Sequence, residues 1–140
     1  FPVRSDDLVL SLLGKTLALL PPDKAEAMAE EVGQQYGQAM AAGMQGDDLA
    51  AGHKSLRAAM QAVADALTAH GFAAHTDQRN NQLRIVNNHC PFGDVAIEHP
   101  VICAVDRGMV KGMLTAIYGE TSPETSASLP QGDTFCATTI

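Results

Sequence analysis

The chain has 140 residues, 46% hydrophobic and 18% charged, with no Trp and a formal net charge of −7. That is long enough for one domain with a real core, built from Ala, Leu, Val and Met more than from aromatics. The acidic balance excludes gripping nucleic acid by itself, which needs clustered Lys and Arg. No apolar run reaches the roughly 18 residues that a membrane-spanning helix needs; residues 8–20 are interrupted by Gly14-Lys15-Thr16.

Residues 1–71 read as helical. Ser5 or Asp6 caps a first helix running to Leu20, where Pro21-Pro22 stops it. A second helix opens at Asp23, with an apolar stripe of Ala25, Met28, Val32, Tyr36, Ala39 or Met40, and Gly43. Gly33, Gly37 and Ala41 recur every four residues on one face. Each glycine there costs about 1 kcal/mol against alanine, so its place in a helix points to close helix approach. Glu30-Glu31 reads as a solvated face, and Gly43 to Gly46 as a break.

The third helix starts near Asp47 or Asp48. Its stripe is Leu49, His53, Leu56, Met60, Val63, Leu67 and His70, ended by Gly71. This is a repeat of about 3.5 residues, the pattern of a long helix–helix seam. Its partner is either the second helix or the same helix of another subunit, so a homodimer through residues 47–70 is expected.

Residues 72–140 change register. Phe72 to Thr76 and Leu83 to Val86 read as strands, joined by a polar turn over Asp77 to Gln82. Residues 92–99 form a short predicted helix that stops before Pro100. Val101 to Tyr118 is a longer helix ended by Gly119, Thr121 to Glu124 is loop, and Ser126 to Leu129 and Thr134 to Ile140 read as strands. The order predicts an α+β domain, N-terminal helices packed on a small antiparallel sheet with further helices. One sensor and dimerisation domain over 1–140 is expected, helical over 1–71 and cysteine-bearing over 72–140.

All three cysteines, Cys90, Cys103 and Cys136, fall in this second part. An odd count fits a reducing, cytoplasmic compartment better than a disulfide framework. Thiolates bind zinc, copper(I) and iron–sulfur clusters because sulfur is soft and strongly donating. Cys90 ends a strand before Pro91. Cys103 lies in the first turn of a helix, where the positive dipole end lowers a thiol pKa. It shares a face with Arg107, Val110, Leu114 and Ile117. Cys136 lies in the terminal strand, which can pair beside the strand leading into Cys90. The bland alternative is that the cysteines are buried small hydrophobes. No CxxC spacing is present.

Asn88-His89-Cys90-Pro91-Phe92, then Glu98-His99-Pro100, Cys103, and a late Gly132-Asp133 followed by Cys136, resembles the C-terminal sensor region of SufR-like repressors. Those are winged-helix proteins related to the ArsR and DeoR groups. The resemblance implies an iron–sulfur cluster on Cys90, Cys103 and Cys136, or zinc as an alternative metal. The family's third cysteine is missing near Ala116-Ile117-Tyr118, so His89, His99, Glu98, an exogenous thiol or water would complete the set. An empty site is a realistic state of a purified sample. The family's DNA-binding winged helix is absent from this chain. The start at Phe1-Pro2 suggests processing or a piece of a longer protein, and DNA would be reached only through the missing head.

A second run, Pro100, Cys103, Asp106, Gly108, Gly112, Tyr118-Gly119, Gly132 and Cys136, is similar to V4R-type domains. That likeness implies a pocket for a small apolar molecule with structural cysteines. A third class is an interaction domain whose task is dimerisation. Enzyme readings lack support in the sequence, with no phosphate loop, nucleophile elbow or His-Glu-x-x-His. His53 and His70 read as seam residues, His75 as strand surface, and Asp94, Glu98 and Asp106 as helix-surface charge before metal ligands.

Overall fold

The structure, a computed structural model, describes residues 5–43, 55–88, 99, 101, 103–127, 132 and 136–140. Within them lie helices α1 (Ser5–Leu17), α2 (Pro22–Ala42), α3 (Leu56–Ala69) and α4 (Cys103–Ile117). The strands are β1 (Ala74–Arg79), β2 (Gln82–Asn87), β3 (Glu124–Ala127) and β4 (Cys136–Thr139). They pair antiparallel in the order β1-β2-β4-β3. The fold is α+β, as the run of helical and then strand patterns predicts.

Local chemistry explains where the elements stop. α1 ends at Leu17 rather than Leu20, because Leu19 N–H and Leu20 N–H turn back to Thr16 O and Leu17 O, both at 3.1 Å. α2 then opens with Pro22 in its first turn, where a missing N–H loses nothing. α3 begins at Leu56 because extended Ser55 caps it, its Oγ accepting the Ala58 N–H at 3.1 Å. The helix therefore does not run on from Asp47 or Asp48 through Ser55; residues 44–54, with Leu49 and His53, lie outside the described residues. The predicted helix over 92–99 lies outside them too, apart from His99.

The hairpin is tighter than its polar sequence suggests. β1 runs through Asp77, Gln78 and Arg79, and the turn is Asn80-Asn81 alone, with φ of 53° and 63°. Two consecutive left-handed residues make the turn whose twist matches antiparallel strands, and Asn tolerates that conformation well. β3 likewise starts at Glu124, inside the stretch predicted as loop, and carries a bulge between Thr125 and Ala127.

α3 and α4 bury one face each against the sheet. Met60, Val63 and Leu67 of α3 meet Val110, Met113, Leu114 and Ile117 of α4, with Phe72 and Ile85 closing the cluster. The heptad seam of the third helix is thus made inside the chain, against α4 and the sheet. Its last predicted residue, His70, is instead an exposed C-cap, Nδ1 lying 2.8 Å from Ala66 O.

α2 packs against α4, and here the expected apolar stripe holds only toward its ends, at buried Ala25 and at Met40, which packs on the core. Its buried residues are Ala25, Ala29, Gly33, Gly37 and Ala41, while Met28, Val32 and Tyr36 stay exposed. The contact is backbone on backbone. A methyl group on Gly33 would overlap Val105 O and one on Gly37 would overlap Met109 O. One on Gly108 would overlap Glu30 O, and one on Gly112 would overlap Gln34 O. The contacts advance together along both chains, so the two helices run parallel. Small residues permit this approach, as in other Gly-x-x-x-Gly helix pairs.

Candidate functional site

The strand register decides what faces α4. Ile85 belongs to the core, so Asn87, two residues on, points to the same side of the sheet. Cys136 opposes Asn87, Thr138 opposes Ile85, and Thr125 opposes Thr138, which places all three on that side too. β4 therefore pairs beside β2, the strand that leads toward Cys90.

Two polar contacts tie α4 to this face. Asn87 Nδ2 donates to Asp106 Oδ2 at 3.1 Å. Asn87 is buried, and both its Oδ1 and the Oδ1 of Asp106 are shielded from solvent with no hydrogen-bond partner among the described residues. Burial pushes the Asp106 carboxyl up to about 7, against the smaller opposing effects of the Asn87 bond and the Arg107 charge. Asp106 retains some exposure as a residue, but its inner oxygen does not, so desolvation governs its charge. A proton on the carboxyl would give this pair an O–H donor, which neither oxygen supplies while the acid is ionised. Asp106 is therefore not the helix-surface charge that its polarity predicts. Its spacing from Val110, Met113 and Ile117 repeats the buried seam of α4, and that periodicity is the signal in the sequence.

The second contact is a hub on Arg107. Its Nη2 donates to Glu26 Oε1 at 2.7 Å and to Glu30 Oε2 at 3.1 Å, and Nη1 reaches Thr125 Oγ1 at 3.2 Å. Burial works against the guanidinium charge, yet the bonds to Glu26 and Glu30 outweigh it and raise the pKa. Lys111 Nζ stands 3.9 Å from Glu30 Oε1. Glu30 is consequently half of an interhelix ion pair, not part of a solvated face.

Beside this hub lies an open cleft of about 390 Å³. Its walls are mainly apolar, among them Leu17, Leu20, Ala25 and Ala104, with Cys103 and Arg107 at one side. Cys103 thus lines the cleft from the first turn of α4, while Val110, Leu114 and Ile117 of the same face go into the core. The turn after α1, the first turns of α2 and α4, and β3 meet here.

The cysteines are placed only in part. Cys103 and Cys136 are half-buried and not joined in a disulfide. Cys90 and His89 lie outside the described residues, as do Asp94 and Glu98. His99 is half-buried, its ring packed where a methyl on Gly14 of α1 would be. Among the described residues no three His, Cys, Asp or Glu side chains gather as a metal set. His75 is exposed on β1, as expected of strand surface.

On the outer face of the hairpin, Arg84 grips Asp77 in a two-pronged pair, with Nη2–Oδ2 at 2.9 Å. The Arg84 hydrogen bond holds the Asp77 carboxyl below its ordinary value. No helix among the described residues is long and apolar enough to cross a membrane.

Helices and a four-stranded antiparallel sheet, with an open, mainly apolar cleft beside an interhelix ion-pair hub, define a small α+β domain. The sequence matches the model of one family, methanogen output domain 1, over residues 8–140. The chain belongs to that family, and an output domain is compatible with a regulatory or sensory role in general. No curated protein matches the sequence.

Proposed function

We propose that this chain is a non-catalytic, effector-responsive output module whose ligand enters the cleft beside Cys103 and Arg107. The observation that carries this reading is the position of Arg107. It lines the cleft and at the same time holds α2 through Glu26 and Glu30 and β3 through Thr125. A molecule in the cleft would press on the tie that joins three elements. The two carboxylates already neutralise Arg107, and the remaining walls are mostly apolar, so the fitting ligand is small, uncharged and largely apolar. This is the ligand class that the V4R-type resemblance implies. The test is a calorimetric titration with indole as a small uncharged probe. Saturable one-to-one binding is expected, and Ala18→Phe, which fills the cleft from an exposed position, should abolish it. Failure of indole to bind saturably, or binding that Ala18→Phe leaves intact, would refute the reading.

A second reading keeps the thiols as the sensing element, with Cys90, Cys103 and Cys136 holding an iron–sulfur cluster or zinc, completed by His89 or His99. Cys136 faces the α4 side of the sheet, and Cys103 opens α4, which supports convergence of these two. In this reading the module acts on a DNA-binding winged helix outside the chain, in a reducing cytoplasmic setting. Anaerobic loading with iron and sulfide should give charge-transfer absorbance that is lost when the three cysteines become alanine. No bound metal by elemental analysis after loading sinks it.

A further inference from the structure

The Asn87–Asp106 contact lies apart from the cleft, and neither residue lines it. The seam around it is apolar. Ile85, two residues back on β2, and Val110, one turn on along α4, are both fully buried. The bond from Asn87 Nδ2 to Asp106 Oδ2 uses one amide hydrogen and one acid oxygen. The two remaining oxygens, Asn87 Oδ1 and Asp106 Oδ1, are shielded acceptors, and neither meets a donor among the described residues. Asn87 itself is only 2% exposed. Two shielded, unpaired acceptors within one bonded pair call for an explanation, because native interiors seldom leave such groups unmet.

The surrounding elements bring little charge to this pair. On α4 itself, Cys103 lies one turn back, and Arg107 is held by Glu26, Glu30 and Thr125. α2 faces the seam with those two glutamates, both turned to Arg107. On β4, Cys136 opposes Asn87 on the same side of the sheet. β1 carries His75, Asp77 and Arg79 on the outer side, as β2 does Arg84. α3 meets the seam through Met60, Val63 and Leu67, while its charges, Arg57 and Asp65, are exposed. Of these groups only the Arg107 charge acts on the Asp106 carboxyl, and burial outweighs it.

We propose that Asp106 and Asn87 form a proton-operated latch between α4 and the sheet, closed by a second hydrogen bond from protonated Asp106 to Asn87 Oδ1 and released when that proton leaves. With the proton, acid and amide exchange two hydrogen bonds and no charge is buried. Without it, a carboxylate faces an amide oxygen inside an apolar seam, and it regains water only by parting from Asn87. The direction follows from the sign of the burial effect: the folded acid holds its proton longer than an exposed one, so the latch is shut on the acid side and loosens as pH rises. The latch does not rest on the cleft, so it and indole binding can fail separately.

Nuclear magnetic resonance of the 140-residue chain under reducing conditions tests both halves of this. The side-chain carboxyl carbon of Asp106 should titrate with a midpoint of about 7, not near the ordinary 3.8. The buried side-chain amide hydrogens of Asn87 reach water when Asn87 parts from Asp106, so their exchange rate counts openings. Dividing the parent rate by that of Asp106→Asn removes the ordinary pH dependence of amide exchange, because the variant can hold both bonds without titrating. That ratio should rise about thirtyfold between about pH 5.5 and about pH 8, then level off. A carboxyl that titrates in the ordinary range overturns the proposal, since the closed pair then tolerates the charge. So does an exchange ratio that stays flat while the carboxyl titrates near neutrality, which would make Asp106 a buried acid that opens nothing. For an Asp106→Asn chain that does not fold, the parent alone decides: its Asn87 exchange must then climb more steeply with pH, up to the carboxyl midpoint, than that of an exposed asparagine.

Discussion

Replacing Asp106 with Asn tests the buried acid at the α4–sheet contact. The folded carboxyl titrates at about 7 and the unfolded one near 3.8. A raised carboxyl pKa means that the folded state holds an extra proton between these values. Stability therefore falls as pH rises through that window and levels off above about 7. Three units of difference set a ceiling of about 4 kcal/mol. Between about pH 5.5 and about pH 8 the part expressed is about 2 kcal/mol. The amide introduced by D106N is isosteric with the protonated acid and can donate toward Asn87 Oδ1 without titrating. D106N should therefore match the parent below about pH 3.8, exceed it by about 2 kcal/mol near pH 5.5 and by about 4 kcal/mol near pH 8. Urea unfolding followed by far-ultraviolet circular dichroism measures this, since the chain has no Trp to report by fluorescence. Other carboxylates are common to both proteins and cancel in the difference. A parent-minus-variant difference that does not change with pH refutes the buried-proton account. So does a D106N protein that is less stable near pH 8.

Alanine at Gly33 or Gly108 should be far worse than its helix propensity predicts. Propensity favours Ala by about 1 kcal/mol, but each new methyl meets a backbone carbonyl that cannot rotate away. A net loss of about 2 kcal/mol or more is expected from urea melts, and the pair G33A/G108A should be non-additive because both open the same seam. Arg107→Met keeps the stem but removes the hub. It should cost about 1 kcal/mol after allowing for the solvent around Glu26, and Arg107→Lys should not restore it, because an ammonium cannot reach Glu26, Glu30 and Thr125 together.

Much of the fold was legible because it follows periodicity. The α4 positions Val110, Leu114 and Ile117 and the α3 positions Met60, Val63 and Leu67 sit where their spacing puts them, in the core. The antiparallel pairing of the last strand beside β2 followed from alternation and order. The face of α2 did not. Hydrophobic patterning ranks Met, Val and Tyr as inward and glycine as neutral, whereas here backbone contact decides the matter. The glycines at every fourth position carried the hint, but their weight against a large apolar stripe depends on a matching pair, Gly108 and Gly112, about 75 residues on. Asp77 reads as turn from sequence, because polar strand residues paired across a hairpin look like loop until Arg84 is seen opposite. The candidate site was legible only at Cys103. The cleft arises where four segments meet, and its acidic tie joins residues about 80 positions apart.

The first two turns of α4 bring four contacts of different stiffness together, and their difference says where the domain can give. Gly108 lies against the Glu30 carbonyl, a contact with no side chain to repack. α2 and α4 should therefore move as one body, since sliding one past the other would drive Gly33, Gly37 and Gly112 into new backbone clashes. Cys103 faces an open cleft and Arg107 reaches its partners through flexible side chains. Asp106 meets the sheet through a hydrogen bond to Asn87, and among the described residues each of the two side chains keeps an unfilled acceptor. A change in the cleft would thus be taken up between α4 and the sheet, where a rotamer and a proton suffice, and not within the helix pair. The D106N and G33A measurements separate these two layers, because the first perturbs only the yielding contact and the second only the rigid one.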